Sequence, residues 1–259
     1  MSKEQVGEHQ LYHGNCLEVL PLLPEDSVQL VVTSPPYAFG MEYEKDMAEE
    51  QLQALIVAVA PQLLRVVKPS GFCFINFQQT TRHNLLAEQM YADAFRGAGW
   101  IFHSRRVWGK SLARTSRSPS GINLSIPQAQ FENLWTFRKP PNKKEEGFDR
   151  KLAIRGIWSI EELFGWVGVG ERSKSVLSRD QHPAQFPVEL PILAIRLWSR
   201  PGDTVLDPFG GLFTSVCAAH HEGRVGIGIE RDATYFARGT RRVKEWVSQG
   251  AMFEAEEVS

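Results

Sequence analysis

Short apolar, β-branched runs alternate with segments of helical period along most of the chain, and this alternation restricts it to a parallel α/β sheet more firmly than any other feature. Residues 28–33 (VQLVVT) read as a buried strand that stops at Ser-Pro-Pro. Residues 50–67 place Leu52, Leu55, Ile56, Val59, Leu63 and Val66 at helical spacing and stop before Lys68-Pro69-Ser70-Gly71. A strand over 72–77, a helix over 84–97 and a strand over 100–108 follow. The rhythm breaks at 109–130, which is rich in Ser, Arg, Pro and Gly, has no period and is too long for a plain connector. Residues 131–137 read as one more strand and 138–180 as a small irregular lobe. Beyond it the pattern resumes: helix 190–198, strand 204–206, helix 213–220, strand 224–229, and a helix over 232–249 opened by Asp232 and closed by Gly250. Parallel βαβ units with helices on both faces of one sheet are expected.

The 42% of hydrophobic residues suffices for a sizeable core, which excludes a disordered or fibrous chain. Cys16, Cys73 and Cys217 lie far apart with no CxxC among them, so neither a disulfide framework nor a metal site is expected. No apolar run has the length of a membrane span and the first ten residues are polar, so a soluble, cytoplasmic protein is expected. The net charge of −1 conceals a partition. Residues 101–180 hold 15 Lys and Arg against 8 Asp and Glu, a net of +7, and the remainder carries −8. Such a basic middle suits a localised phosphate-binding face, or a solvated insertion.

Two strand-to-loop junctions carry chemistry. In Thr33-Ser34-Pro35-Pro36-Tyr37 the prolines fix φ and remove backbone donors, so the loop offers carbonyls and the Ser34 hydroxyl. Two acceptors beside an aromatic ring suit a planar group bearing an NH2; the same residues would also make a stiff turn over a packed tyrosine. The second junction, Asp207-Pro208-Phe209-Gly210-Gly211, is followed by Gly226-Ile227-Gly228-Ile229-Glu230 at the end of the next strand. Glycines admit close approach to a ligand, and an acid at that strand end can hold ribose hydroxyls. With no G-x-G-x-x-G to cradle two phosphates, an adenosine without pyrophosphate fits better.

Together these segments resemble the S-adenosylmethionine-dependent DNA amino-methyltransferases, which methylate exocyclic nitrogens of cytosine or adenine. Gly14-Asn15-Cys16 resembles the family's cofactor-adenine segment, which usually reads Gly-Asp. Ser34-Pro35-Pro36-Tyr37 resembles the catalytic motif, and His182-Pro183-Ala184-Gln185-Phe186-Pro187 the segment over the methionine part of the cofactor. Asp207-Pro208-Phe209-Gly210-Gly211 resembles the cofactor loop, and Glu230 the ribose-binding acid. The order, catalytic motif first and cofactor loop last, is similar to the β subgroup. It implies a Rossmann-like methyltransferase fold with a mostly parallel sheet, a circularly permuted motif order and a small inserted target-recognition region. Residues 1–108 would form the catalytic half, 109–180 the DNA-contacting and recognition region, and 181–259 the cofactor-binding half. One departure stands in the cofactor loop, where Gly211-Leu212-Phe213-Thr214-Ser215 replaces the family's Gly-Ser-Gly-Thr-Thr. Phe213 in place of a glycine implies a loop that sits differently and holds the cofactor less tightly.

The resemblance implies transfer of a methyl group from S-adenosylmethionine to a flipped base in duplex DNA. Ser34 and the Pro35 carbonyl would hold the amino group, Pro36 would stiffen the loop, and Tyr37 would stack on the base. Asn15, Cys16, Phe186, Pro187, Asp207, Phe209, Gly211 and Glu230 would line the cofactor. Carbon methylation would need a thiolate, which in the family that performs it follows a proline, and none of the three cysteines does. Arg105, Arg106, Lys110, Arg114 and Arg117 are candidates for phosphate contact near the pocket, and Lys143, Lys144, Arg150, Lys151 and Arg155 in the recognition lobe. Ser before Pro-Pro-Tyr points to N4 of cytosine, with N6 of adenine the alternative. A DNA-binding member without activity, and one acting on RNA or a protein glutamine, are further alternatives. A cognate restriction endonuclease would be the partner; the oligomeric state stays open.

Overall fold

The computed structural model describes residues 1–36, 49–77, 87–109, 131–141 and 187–257. Among the described residues, eight strands form one sheet: β1 (Ser2–Val6), β2 (His9–His13), β3 (Val28–Thr33), β4 (Val67–Phe77), β5 (Ile101–Gly109), β6 (Phe131–Arg138), β7 (Thr204–Asp207) and β8 (Val225–Glu230). Their spatial order is β1-β2-β8-β7-β3-β4-β6-β5. The pairings from β2 through β8, β7 and β3 to β4 are all parallel. The outer pairs β1–β2, β4–β6 and β6–β5 are antiparallel. Strands from both sides of the 109–180 region therefore share one sheet, with β7 and β8 inserted beside β3. The α/β class and mostly parallel sheet expected from the sequence are present.

Six α-helices among the described residues accompany the sheet: α1 (Cys16–Val19), α2 (Glu49–Val66), α3 (Ala87–Gly97), α4 (Glu189–Trp198), α5 (Thr214–His221) and α6 (Ala233–Glu257). Helices α1, α2 and α3 cover one face, packing Val19, Ile56, Val59, Leu63, Met90 and Phe95 on Val31, Cys73, Ile75 and Phe77. On the other face α4 and α5 pack Leu190, Ala194, Ile195 and Ala218 on Leu30, Val32, Phe72 and Phe74. Residues of β3 and β4 thus serve the two faces alternately, as the period of a strand buried on both sides requires.

Several boundaries differ from the sequence reading for physical reasons. Helix α2 does stop before Lys68-Pro69-Ser70-Gly71, at Val66, but these four residues lie inside β4, which starts at Val67 rather than at 72. Val67 pairs with Val28 and Phe72 with Leu30, so the four residues bulge opposite Gln29, with Ser70 at φ 63°. Strand β6 separates β4 from β5, so the β4–α3–β5 unit skips one sheet position. Gly250 does not close the last helix, which runs on to Glu257. Asp232 does open it, its Oδ1 accepting the N–H groups of Thr234 (2.8 Å) and Tyr235 (2.9 Å). The β1–β2 hairpin had no counterpart in the sequence reading.

Candidate functional site

Parallel pairing brings the carboxyl ends of β2, β8, β7 and β3 to one edge of the sheet, where ligands of open α/β sheets bind. Asp207, the last residue of β7, ties that edge together. Its side chain is 2% exposed. Oδ1 accepts the Thr33 hydroxyl at 2.8 Å and the Phe209 N–H at 3.1 Å, and Oδ2 accepts the Ser215 hydroxyl at 2.7 Å. Burial raises its pKa against these three donors. The carboxylate expected to line the cofactor is therefore spent inside the protein, joining the end of β3, the glycine turn and α5. Thr33 and Ser215 were not assigned any role from sequence. The available signal was that a buried carboxylate needs donors, and both hydroxyls flank the two motifs.

Glu230 closes β8, with His13 of β2 as its parallel partner and its carbonyl accepting the Gly14 N–H at 2.9 Å. Its carboxylate is turned back on the chain. Oε2 accepts the Gly211 N–H and Oε1 the Asp232 N–H, each at 2.7 Å. Burial raises its pKa, while these two amides oppose the rise. Each oxygen keeps a lone pair for a hydroxyl donor. The Gly211 N–H is consumed by a carboxylate rather than left to cradle a phosphate, so the edge suits a ribose diol and repels a pyrophosphate. That set of acceptors fits an adenosine-bearing sulfonium cofactor without phosphates.

Beside Glu230, Asn15 caps α1 by accepting the Leu17 N–H at 3.0 Å, so its oxygen is engaged there. Cys16 is buried, and burial pushes its thiol up to about 11. Phe209 is half-buried against the α2 face. Pro187 accepts the Leu190 N–H at the start of α4, and Phe186 lies outside the described residues.

The Ser-Pro-Pro-Tyr segment follows β3, which pairs with β7, so Ser34 and Asp207 leave neighbouring strands at the same edge. Pro35 is buried, with Ser34 and Pro36 half-buried on either side. Tyr37 lies outside the described residues.

Phe213 adopts φ 56° and ψ 37°, the left-handed conformation that a glycine would take there. For an L residue this costs about 1–2 kcal/mol. Its ring is fully buried with Val6, Leu11, Val216, Cys217 and Val243, edge-on to Phe236. The backbone thus holds a glycine-type turn while the ring goes into the core.

Of the basic candidates, Arg105 and Arg106 are described, and both sit in β5, with β4 and β6 between them and β3. Arg105 pairs with Glu88 at 3.1 Å, and Arg106 is half-buried. They belong to the outer edge of the sheet rather than to the rim of the Ser34 loop. Lys110, Arg114, Arg117, Lys143, Lys144, Arg150, Lys151 and Arg155 lie outside the described residues. Among the described residues no group of His, Cys, Asp and Glu could hold a metal, and no helix is long and apolar enough to cross a membrane.

Comparison with known proteins bears on this arrangement. A family model described as DNA methylase matches residues 28–240. The type II methyltransferase M.BglI of Bacillus subtilis is 26% identical over 92% of this chain and 86% of its own. The structure of a DNA modification methylase from Thermus thermophilus, complexed with S-adenosyl-L-methionine, superposes with a TM-score of 0.67 at 24% identity. The match covers 92% of this chain and 95% of that one. The cytosine-N4-specific PvuII DNA methyltransferase superposes at 0.65 and 20% identity, over 95% of this chain and 93% of its own.

Proposed function

Because this chain belongs to the DNA methylase family, whose model matches residues 28–240, we propose that it is an N4-cytosine DNA methyltransferase acting on a base flipped out of duplex DNA. The methyl donor is S-adenosylmethionine, which supplies a sulfonium-bound methyl group. The single observation that carries the reading is the adjacency of the Ser34 loop and the Asp207–Glu230 edge at the ends of paired strands. A group held over Glu230 and a base held at Ser34 meet across the end of one intervening strand, β7.

The chain's own contribution is positional. An exocyclic amino nitrogen is a poor nucleophile because its lone pair is delocalised into the ring. Ser34 Oγ and the Pro35 carbonyl each accept one of its hydrogens, drawing the nitrogen towards tetrahedral geometry and freeing the lone pair. Such preorganised acceptors require no covalent enzyme intermediate. Tyr37 stacks on the extruded base. Glu230 accepts the ribose hydroxyls, and Gly211 presents backbone to the methionine part. Asp207 acts through the others, holding both loops from within. The basic residues of 110–155 carry the DNA backbone, and a type II restriction endonuclease is the natural partner, since M.BglI is a type II methyltransferase.

Ser34 at the head of the catalytic motif, where Asp or Asn is commoner in adenine enzymes, supports cytosine. The likeness to the PvuII enzyme supports the fold alone. DNA methylated by the purified protein, digested to nucleosides and chromatographed, should yield N4-methylcytosine. N6-methyladenine as sole product would assign the other base, and no methylated nucleoside from duplexes of diverse sequence would remove the activity.

A further inference from the structure

Phe213 sits in a socket made by three glycines from three different elements. A Cβ on Gly210 of the loop would fall 2.5 Å from the ring, one on Gly228 of β8 2.4 Å, and one on Gly239 of α6 2.7 Å. Real Cβ atoms do not approach carbon so closely, so each of these positions admits the ring only as glycine. The same residue is fixed at its backbone. The Phe213 N–H donates to the Gly210 carbonyl, and the Gly210 N–H donates to the Ile229 carbonyl at 2.7 Å. Gly228, Ile229 and Glu230 are consecutive on β8, and Glu230 receives the Gly211 N–H at 2.7 Å. The ring therefore clamps the glycine turn onto the strand end that carries the ribose-binding acid.

We propose that Phe213 is a positioning residue for the cofactor: seated on Gly210, Gly228 and Gly239, it locks the 208–213 loop in its binding conformation before the cofactor arrives. This rests on the reading of the Glu230 edge as an S-adenosylmethionine site. A glycine at 213 would adopt the same left-handed conformation without strain, yet it would leave the loop free to leave it. Binding would then have to order that backbone, a cost on the order of tenfold in affinity for one residue fixed. Restoring the family's glycine should weaken cofactor binding, the opposite of what the loop motif alone suggests.

The test compares S-adenosylmethionine binding by calorimetry in wild type, Phe213→Gly, Phe213→Leu, Gly228→Ala and the Phe213→Gly/Gly228→Ala pair, well below each thermal midpoint. Hydrogen exchange at the Gly211 amide is measured on the same proteins. Wild type should bind; Phe213→Gly should bind about tenfold more weakly, with faster exchange at Gly211 and a raised KM for the cofactor at nearly constant kcat. Gly228→Ala should weaken binding in wild type and add little when Phe213 is already glycine, because the clash it creates is with the ring. If Phe213→Gly does not fold, Phe213→Leu and Gly228→Ala carry the test, since each chiefly disturbs the ring's seat, the added Cβ at 228 also coming within 3.1 Å of Val216. Cofactor affinity unchanged in the folded variants, or additive effects in the pair, would overturn the clamp while leaving the site intact. Wild type that does not bind S-adenosylmethionine would overturn the site and the clamp together.

Discussion

Glu230 and Asp207 show how two acids in neighbouring motifs divide into different roles. Asp207 is buried and takes three donors from within the protein, whereas Glu230 is half-buried and takes one chain donor on each oxygen. Replacing Glu230 by alanine should weaken S-adenosylmethionine binding by about 1–3 kcal/mol, the usual loss for charge-assisted hydrogen bonds. The ionised form is the acceptor, and burial lifts the pKa above the ordinary 4.5. Affinity should therefore fall on acidification at a higher pH than a free glutamate would dictate, and Glu230→Gln should flatten that dependence. Calorimetry across mildly acidic pH checks both, and an affinity indifferent to Glu230 would remove it from the site. At this scale the sequence was legible for which residues stand at strand ends, as at Ser34, Asp207 and Glu230. It was not legible where a side chain meets a distant one. The inward turn of Asp207 depends on Thr33, 174 positions away. The glycines that seat Phe213 come from loop, strand and helix.

Among the elements, the sequence reading missed the short α1 and the β1–β2 hairpin. Along β1 only Val6 is buried, so a mostly solvated edge strand shows no apolar alternation to read. What holds the hairpin's second strand is partly polar. His9 of β2 is 3% exposed; its Nδ1 accepts the Gly226 N–H of β8 at 2.9 Å and its Nε2 meets His220 Nδ1 of α5 at 3.1 Å. Burial, reinforced by His220, pushes its pKa down to about 4 from 6.5. The unfolded chain therefore binds a proton more readily than the folded one. Stability should be full above about pH 6.5 and fall as pH drops towards 4, by up to about 3 kcal/mol at the lower end. Urea melts at pH 7 and 5 measure this, and His9→Gln should shrink the difference between them. An equal pH response in that variant would place the titration elsewhere. The long helices and central strands were legible because their period is continuous. Bounds failed where a bulge absorbed Pro69 and Gly71, and where Gly250 was tolerated inside a helix at a cost of about 1 kcal/mol.

Over the whole molecule, the proposed reading assigns the DNA to the basic middle of the chain. An acidic frame of net −8 would repel DNA everywhere except at the +7 middle of the chain, which is inserted in sequence between the catalytic and cofactor motifs. Binding to duplex DNA should weaken steeply with salt. Neutralising Lys143, Lys144, Arg150 and Lys151 together should reduce the slope of log K against log salt by up to about 3–4, on all duplexes alike, while leaving cofactor affinity untouched. An unchanged slope would make that region a solvated insertion and send the DNA to another face.

The central claim is that Ser34 and the Pro35 carbonyl activate an amino nitrogen beside a cofactor held at Glu230. Single-turnover methylation of duplex DNA by wild type and Ser34→Ala, with S-adenosylmethionine affinity measured on the same preparations, tests it most directly. Removing one preorganised acceptor should slow methyl transfer by about 100-fold or more and leave cofactor affinity within about twofold. A Ser34→Ala enzyme that transfers the methyl group at the wild-type rate would contradict it.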